Sequence, residues 1–448
     1  MVQRKRQKMD PMIDEELYPF AAGKERWPLS LPFGADALVR GIAAEQIFLE
    51  LVDVIVLDKN HEDVQRPDVD HDFLLYLLKA FPQLVSKKHV LRWDNNETRE
   101  LYPLSILSCL RAPAGLLKTV YEMYPDAISY AEPVKGTLSF HYLCTFLGGV
   151  ESLEFFLATD PDCIKRPRTD GMYPLHLAAY FKASYEVVDL LARAWPEAVD
   201  HQDNGRWSIL HASASGQATL EVVKRLYKLR PANILALDEK QRTPLHLACW
   251  RKGNETALSF LLEQAPNALH LQDESGETPL FRASRSQSLE GLKVLLPEGC
   301  PSPPLDELGA SLLHFAMLDN TADVVEFLLN RFPEMAENST TDRDGYLPIH
   351  GGSHFNCPVD NMRVLIRHAP RTLLIRNGHG KIPLETAQEK KASQELIDLL
   401  LEATMNQYRS NRSTLTRSIR DNEYDRYMSY QDARSNRNRI DTEFFIWS

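Results

Sequence analysis

The stretch Gln241 to Ala248, QRTPLHLA, constrains the chain more than any other, because its pattern returns along most of the length at a nearly fixed interval. Within this copy Thr243 stands before Pro244, the mark of a helix start: a threonine hydroxyl can accept from the open amides of a first turn, and proline there gives up no donor the helix needs. Leu245 and Ala248 fall three residues apart on one face, and a side chain as small as that of Ala248 lets a neighbouring helix approach closely.

The anchor position of Leu245 is filled elsewhere by Leu104, Phe140, Leu175, Leu210, Leu280, Leu313, Ile349 and Leu384, at successive intervals of 36, 35, 35, 35, 35, 33, 36 and 35 residues. A second marker keeps step with the first. Apolar helical stretches end in proline at Pro125, Pro161, Pro196, Pro231, Pro266, Pro333 and Pro370.

These residues resemble the ankyrin-repeat family, whose signature is T-P-L-H-x-A in a helix-turn-helix unit of about 33 residues. The resemblance runs from Asn96 to Ala403 and implies an all-α fold, a solenoid of about nine units joined by β-turns. Three departures carry structural expectations. The period is about two residues longer, which predicts longer helix ends; proline replaces the usual glycine after the second helix. The unit from Leu280 to Leu313 is contracted and holds Pro301, Pro303 and Pro304, which predicts an irregular joint over 297–308.

Length alone would suggest two or three globular domains, but a repeat of this spacing makes one solenoid the better count. Residues 1–28 are polar and basic at the start (Arg4, Lys5, Arg6, Lys8), a composition expected of disorder, with nuclear import as the alternative. Residues 29–95 carry helical apolar spacing at Leu38, Ile42, Ile47, Leu51 and Ile55 and again over Phe73 to Leu78, and are read as irregular N-terminal capping helices with a worn-down repeat. Residues 404–448 are rich in Arg, Ser, Asn and Asp, so disorder or a partly helical extension is expected there. Its aromatic end, Phe444, Phe445, Ile446 and Trp447, is a docking motif, a strap to the solenoid or a frayed end.

A net charge of −11 argues against sequence-blind binding to nucleic acid or to an anionic membrane. Six dispersed cysteines without a C-x-x-C pair, behind an N-terminus with no apolar core of a signal peptide, lead to the expectation of reduced thiols in cytoplasm or nucleus. No apolar run reaches the roughly 20 residues that span a bilayer.

The chain shows no phosphate-cradling loop, nucleophile elbow or H-E-x-x-H, and is expected not to be an enzyme and to need no cofactor or metal. Residues 61–72, HEDVQRPDVDHD, lack the glycine and glutamate of a calcium loop. Gly378-His379-Gly380-Lys381 falls where each unit has its turn. His350, His354 and Cys357 have the spacing of zinc ligands, yet His350 belongs to a series with His141, His176, His211, His246 and His314 that occupies the position after the anchor, where the resemblance implies a brace for the turn.

What remains is binding. The resemblance implies that partners touch the turn tip and the exposed side of the first helix. Three before the anchor stand Leu101, Thr137, Met172, Trp207, Arg242, Glu277, Ala310, Tyr346 and Lys381; five and six after it come, among others, Tyr180, Phe181, Trp250, Arg251, Arg285, His354 and Phe355. These columns do not repeat, so they are not framework. The middle units gather Met172, Tyr180, Phe181, Trp207 and Trp250 beside Arg242, Arg251 and Arg285, the residue types that dominate interface hot spots. The function expected is a non-enzymatic scaffold or adaptor holding a protein segment, an acidic peptide with an apolar anchor, across units three to six. The alternative is a regulatory or substrate-recognition subunit of an enzyme complex, or a nuclear regulator, acting through its termini. Partner identity and oligomeric state are left open by the sequence.

Overall fold

The computed structural model describes residues 44–49, 52, 71–92, 98–216, 218–250, 255–286 and 289–410. Nine units follow one another, numbered here by their anchors from Leu104 to Leu384. Unit three is representative: a first helix, Pro174–Tyr180, a second, Tyr185–Ala194, and then a one-turn 3-10 helix, Pro196–Asp200. Proline opens six of the nine first helices, from Pro103 to Pro383, because its missing amide is one the first turn leaves open anyway. First helices stack on first helices and second helices on second helices, unit by unit. Every anchor residue is buried, and alanines such as Ala178, Ala212 and Ala248 keep adjacent first helices close.

The longer period resides in the 3-10 turns and not in longer α-helices, which corrects the expectation of extended helix ends. Proline fixes the backbone at the start of each turn and pushes the residue before it out of helical conformation; Trp195, ahead of Pro196, sits at φ −146° and ψ 84°. The second helix therefore stops, and a short turn drops a further side chain into the core: Ala127, Ile164, Ala198, Ile234, Ala268, Ala336 and Leu373 are buried in this way.

Successive β-turns are strung together by one backbone bond each. The amide of Asn204 donates to the carbonyl of Asp170 (3.0 Å), Glu239 to Gly205 (3.0 Å), Glu274 to Lys240 (2.9 Å) and Gly378 to Asp344 (2.7 Å). This ladder sets the spacing between units along the edge where the turn tips project.

Unit six breaks the rule, as its prolines predict. Its second helix is cut to Leu289–Leu295, no 3-10 turn follows, and residues 301–305 have no regular structure. Before unit one, the expected capping helices are represented among the described residues by helical residues 44–49 and by His71–Ala80, which buries Leu74, Leu77 and Leu78. Between that helix and unit one lies an antiparallel hairpin, His89–Arg92 with Thr98–Leu101, which an all-helical reading did not foresee. Its second strand alternates exposed and buried, and its buried Arg99 pairs with the equally buried Glu132 at 3.1 Å, tying the hairpin to the turn of unit two. At the other end the last helix, Gln394–Ser410, runs seven residues past the expected limit of the solenoid, burying Thr404 and Met405. The basic N-terminus and the aromatic end Phe444 to Trp447 lie outside the described residues.

No helix among the described residues is long and apolar enough to cross a membrane.

Candidate functional site

The turn tips are held by two framework groups that leave the tip side chains free to vary. The first is the histidine after the anchor. In unit four, His211 Nδ1 accepts from the amide of Ser208 (3.1 Å), which puts the proton on Nε2, and Nε2 donates to the carbonyl of Arg242 in the next unit (2.8 Å). His246, His314 and His350 make the same pair of bonds, reaching Glu277, Tyr346 and Lys381, while His141 accepts from the amide of Leu138 but reaches Arg166, at the end of its own unit's 3-10 turn. His176 reaches Trp207 at 3.3 Å, while its buried Nδ1 has no hydrogen-bond partner. Burial keeps these rings neutral: for His141, His176, His211, His246 and His350 the pKa is pulled down to about 4, and for His314 it is lowered.

The second group escaped the sequence reading. A carboxylate seven residues before the anchor accepts from the tip amide itself: Asp203 from Trp207 (2.7 Å), Asp238 from Arg242 (2.8 Å), Asp273 from Glu277 (3.0 Å) and Asp306 from Ala310 (2.7 Å). Asn377 does the same work with an amide oxygen, accepting from Lys381 at 3.0 Å. The signal was present as a recurrent acid at one register. Burial would raise the Asp238 carboxyl, but the Arg242 guanidinium and backbone amides outweigh it and hold it below the usual range; Asp203, with no such cation, is pushed up by burial.

On this frame the expected binding residues divide into three groups. Tyr180, Phe181 and Trp207 form one half-buried cluster, with ring centroids 4.9 Å apart for Tyr180–Phe181 and 6.2 Å for Tyr180–Trp207. They and Met172 also pack on the core, so they are partly cement between units and partly surface. Trp250 is different: it is 54% exposed, with the guanidinium of Arg282 against its ring at 5.1 Å.

The arginines are the third group, and the structure changes their meaning. Arg242 is only 11% exposed and binds the fully buried Asp238, which makes it a brace of its own turn and not a free cation. Arg285, 42% exposed, already pairs with Glu277 at 3.0 Å and lies over Phe315 at 4.4 Å. Arg251 lies outside the described residues. Of the expected basic end, the two described arginines are therefore paired from within.

One neighbour, Arg282, was not singled out by the sequence, and a second cluster lies beyond units three to six. Arg282 pairs with Asp273 and supports Trp250, in the place where other first helices carry a small or apolar residue. In unit eight, Tyr346 and His354 are joined by a 2.9 Å bond from hydroxyl to ring, beside Phe355, which is 63% exposed. That bond and the two backbone bonds of His350 give both imidazoles a structural role, and burial pushes the Cys357 thiol up to about 12, far from the thiolate that zinc needs.

Comparison with known proteins accords with this geometry. The family model for ankyrin repeats matches three copies over residues 210–306, and that for a single ankyrin repeat matches residues 170–204. No curated protein matches the chain. Among solved structures, the ankyrin repeat domain of Bcl-3, titled a unique member of the IkappaB protein family, is 27% identical over 52% of this chain and 99% of its own, with a TM-score of 0.40. The human ASB11 ankyrin repeat domain is 22% identical over 51% of this chain and 97% of its own, also at 0.40. Those superpositions are too loose to carry an argument, and the repeats rest on the family matches and on the nine units themselves. The chain is an ankyrin-repeat protein, a helical repeat solenoid of the general kind that binds other proteins.

Proposed function

We propose that the first-helix face of units three to six receives a segment of another protein, seated by an apolar anchor against Tyr180, Phe181, Trp207 and Trp250. The observation that carries this reading is Trp250, a large side chain more than half exposed at a position the repeat leaves unspecified and stiffened by the Arg282 guanidinium. Trp and Arg in that relation combine wide apolar area with low rotameric freedom, the features of a hot spot. An acidic group on the segment would meet Arg285 only in competition with Glu277, so the apolar anchor supplies most of the affinity and charge tunes it. Six free cysteines, five of them buried, suit cytoplasm or nucleus as the place of work.

A photo-crosslinking phenylalanine analogue at position 250, compared with one at exposed Lys228 on the second helix of unit four, tests the reading in cells. Covalent adducts to a partner are expected from position 250 and not from 228. Adducts from 228 alone would place the interface on the opposite face.

A further inference from the structure

Among the described residues, the joint after unit six is the one place between units where the repeat gives up its own packing. In seven other units a 3-10 turn buries a side chain at this point; here no residue from Pro297 to Leu308 is buried, and Leu305 and Leu308 are 45% and 58% exposed. Nine units of selection for burial, interrupted by exposed proline and leucine, call for a reason outside the core.

Elementary chemistry fixes the conformation of this segment. Pro301, Pro303 and Pro304 each lock φ near −65°. Cys300, Ser302 and Pro303 each precede a proline, which drives them to extended ψ. Together these favour an extended, polyproline II-like course over residues 300–304, and among the described residues no backbone hydrogen bond engages 301–305. Both ends are pinned: the Arg331 guanidinium donates to the carbonyl of Pro297 and lies 3.8 Å from Cys300 Sγ, while Gly309 donates to Asp306 (3.0 Å) and Thr341 to Leu308 (2.7 Å).

We propose that Pro301-Ser302-Pro303-Pro304-Leu305 is a docking ligand for a polyproline-reading domain, one whose aromatic-lined groove takes Pro301 and Pro304, spaced as P-x-x-P, and the exposed Leu305. The exposed carboxylates of Glu298 and Glu307 on either side select a groove with a basic rim. A strand already extended and tethered at both ends loses little entropy on binding. This surface is separate from the first-helix face of units three to six, so the two proposals stand or fall independently.

The test is an array of purified SH3, WW and EVH1 modules probed with the full chain, wild type and a Pro301→Ala, Pro304→Ala variant. The two prolines are exposed, so the variant should keep the wild-type circular dichroism and melting temperature, which is checked first. The proposal expects at least one module to bind wild type, to bind the variant at least tenfold more weakly, and to be displaced by a synthetic peptide of residues 298–308. Binding by no module, or equal binding to both proteins, would overturn it.

Discussion

Four of the six framework histidines, His211, His246, His314 and His350, join their own helix start to the next unit's turn, and the buried series gives the protein a pH dependence that can be worked out. In the unfolded chain these rings titrate near 6.5, whereas burial keeps five of them neutral down to about 4. Their folded pKa is depressed, so the stability they contribute is complete above about 6.5 and is lost as pH falls toward 4, where the unfolded chain takes up protons the fold refuses. Each ring costs up to about 1.4 kcal/mol per pH unit inside that window. Thermal melts between pH 7.5 and 5 should show the midpoint falling steeply, and His211→Phe, though less stable at pH 7.5, should show a shallower fall. A midpoint flat from 7.5 to 5 would contradict the neutral, doubly bonded imidazoles. The histidine series was legible in the sequence because one residue type recurs at one register. The carboxylates at 203, 238, 273 and 306 recur as well, but acids are common on surfaces and their role shows only when Oδ1 is seen on the tip amide.

At the scale of elements, helix starts and the stacking face could be read from the sequence, since proline at the first position and a buried leucine after it each have one physical meaning. The destination of the two extra residues could not: a proline after a helix says where the helix stops and not that a 3-10 turn will fold back into the core. Close approach was also hidden. Gly216 ends the first helix of unit four, and a Cβ there would lie 1.9 Å from the carbonyl oxygen of Tyr180 in unit three. Units two, three and eight carry phenylalanine at this register (Phe146, Phe181, Phe355) and unit five an arginine, so sequence offers no warning. Gly216→Ala should cost about 3 kcal/mol by forcing the two helix ends apart, read as a shift of the denaturation midpoint. A midpoint within error of wild type would mean that units three and four are not packed this closely. Residue type marks Trp250 as exposed aromatic surface, but whether an arginine is free depends on its neighbours, and Arg242 turns inward to Asp238.

Over the whole molecule, stability is a sum of units and their interfaces, so damage spreads to neighbours. Leu245→Asp places an unpaired charge in a site only 2% exposed and should cost about 3 to 5 kcal/mol, with amide exchange accelerated first in units four to six. Uniform exchange along all nine units would instead indicate a single cooperative block. The same modularity lets the repeat hold its frame while the tip and first-helix columns change freely, so a non-repeating aromatic face on a repeating frame is read here as a binding site. The most direct test is affinity capture from the source cells with full-length wild type and with a Trp250→Ala, Arg285→Ala variant, both verified to melt alike, followed by quantitative mass spectrometry. The account predicts a protein retained by wild type and lost, or reduced at least tenfold, with the variant; an identical set of proteins on both would contradict a binding site on the first-helix face.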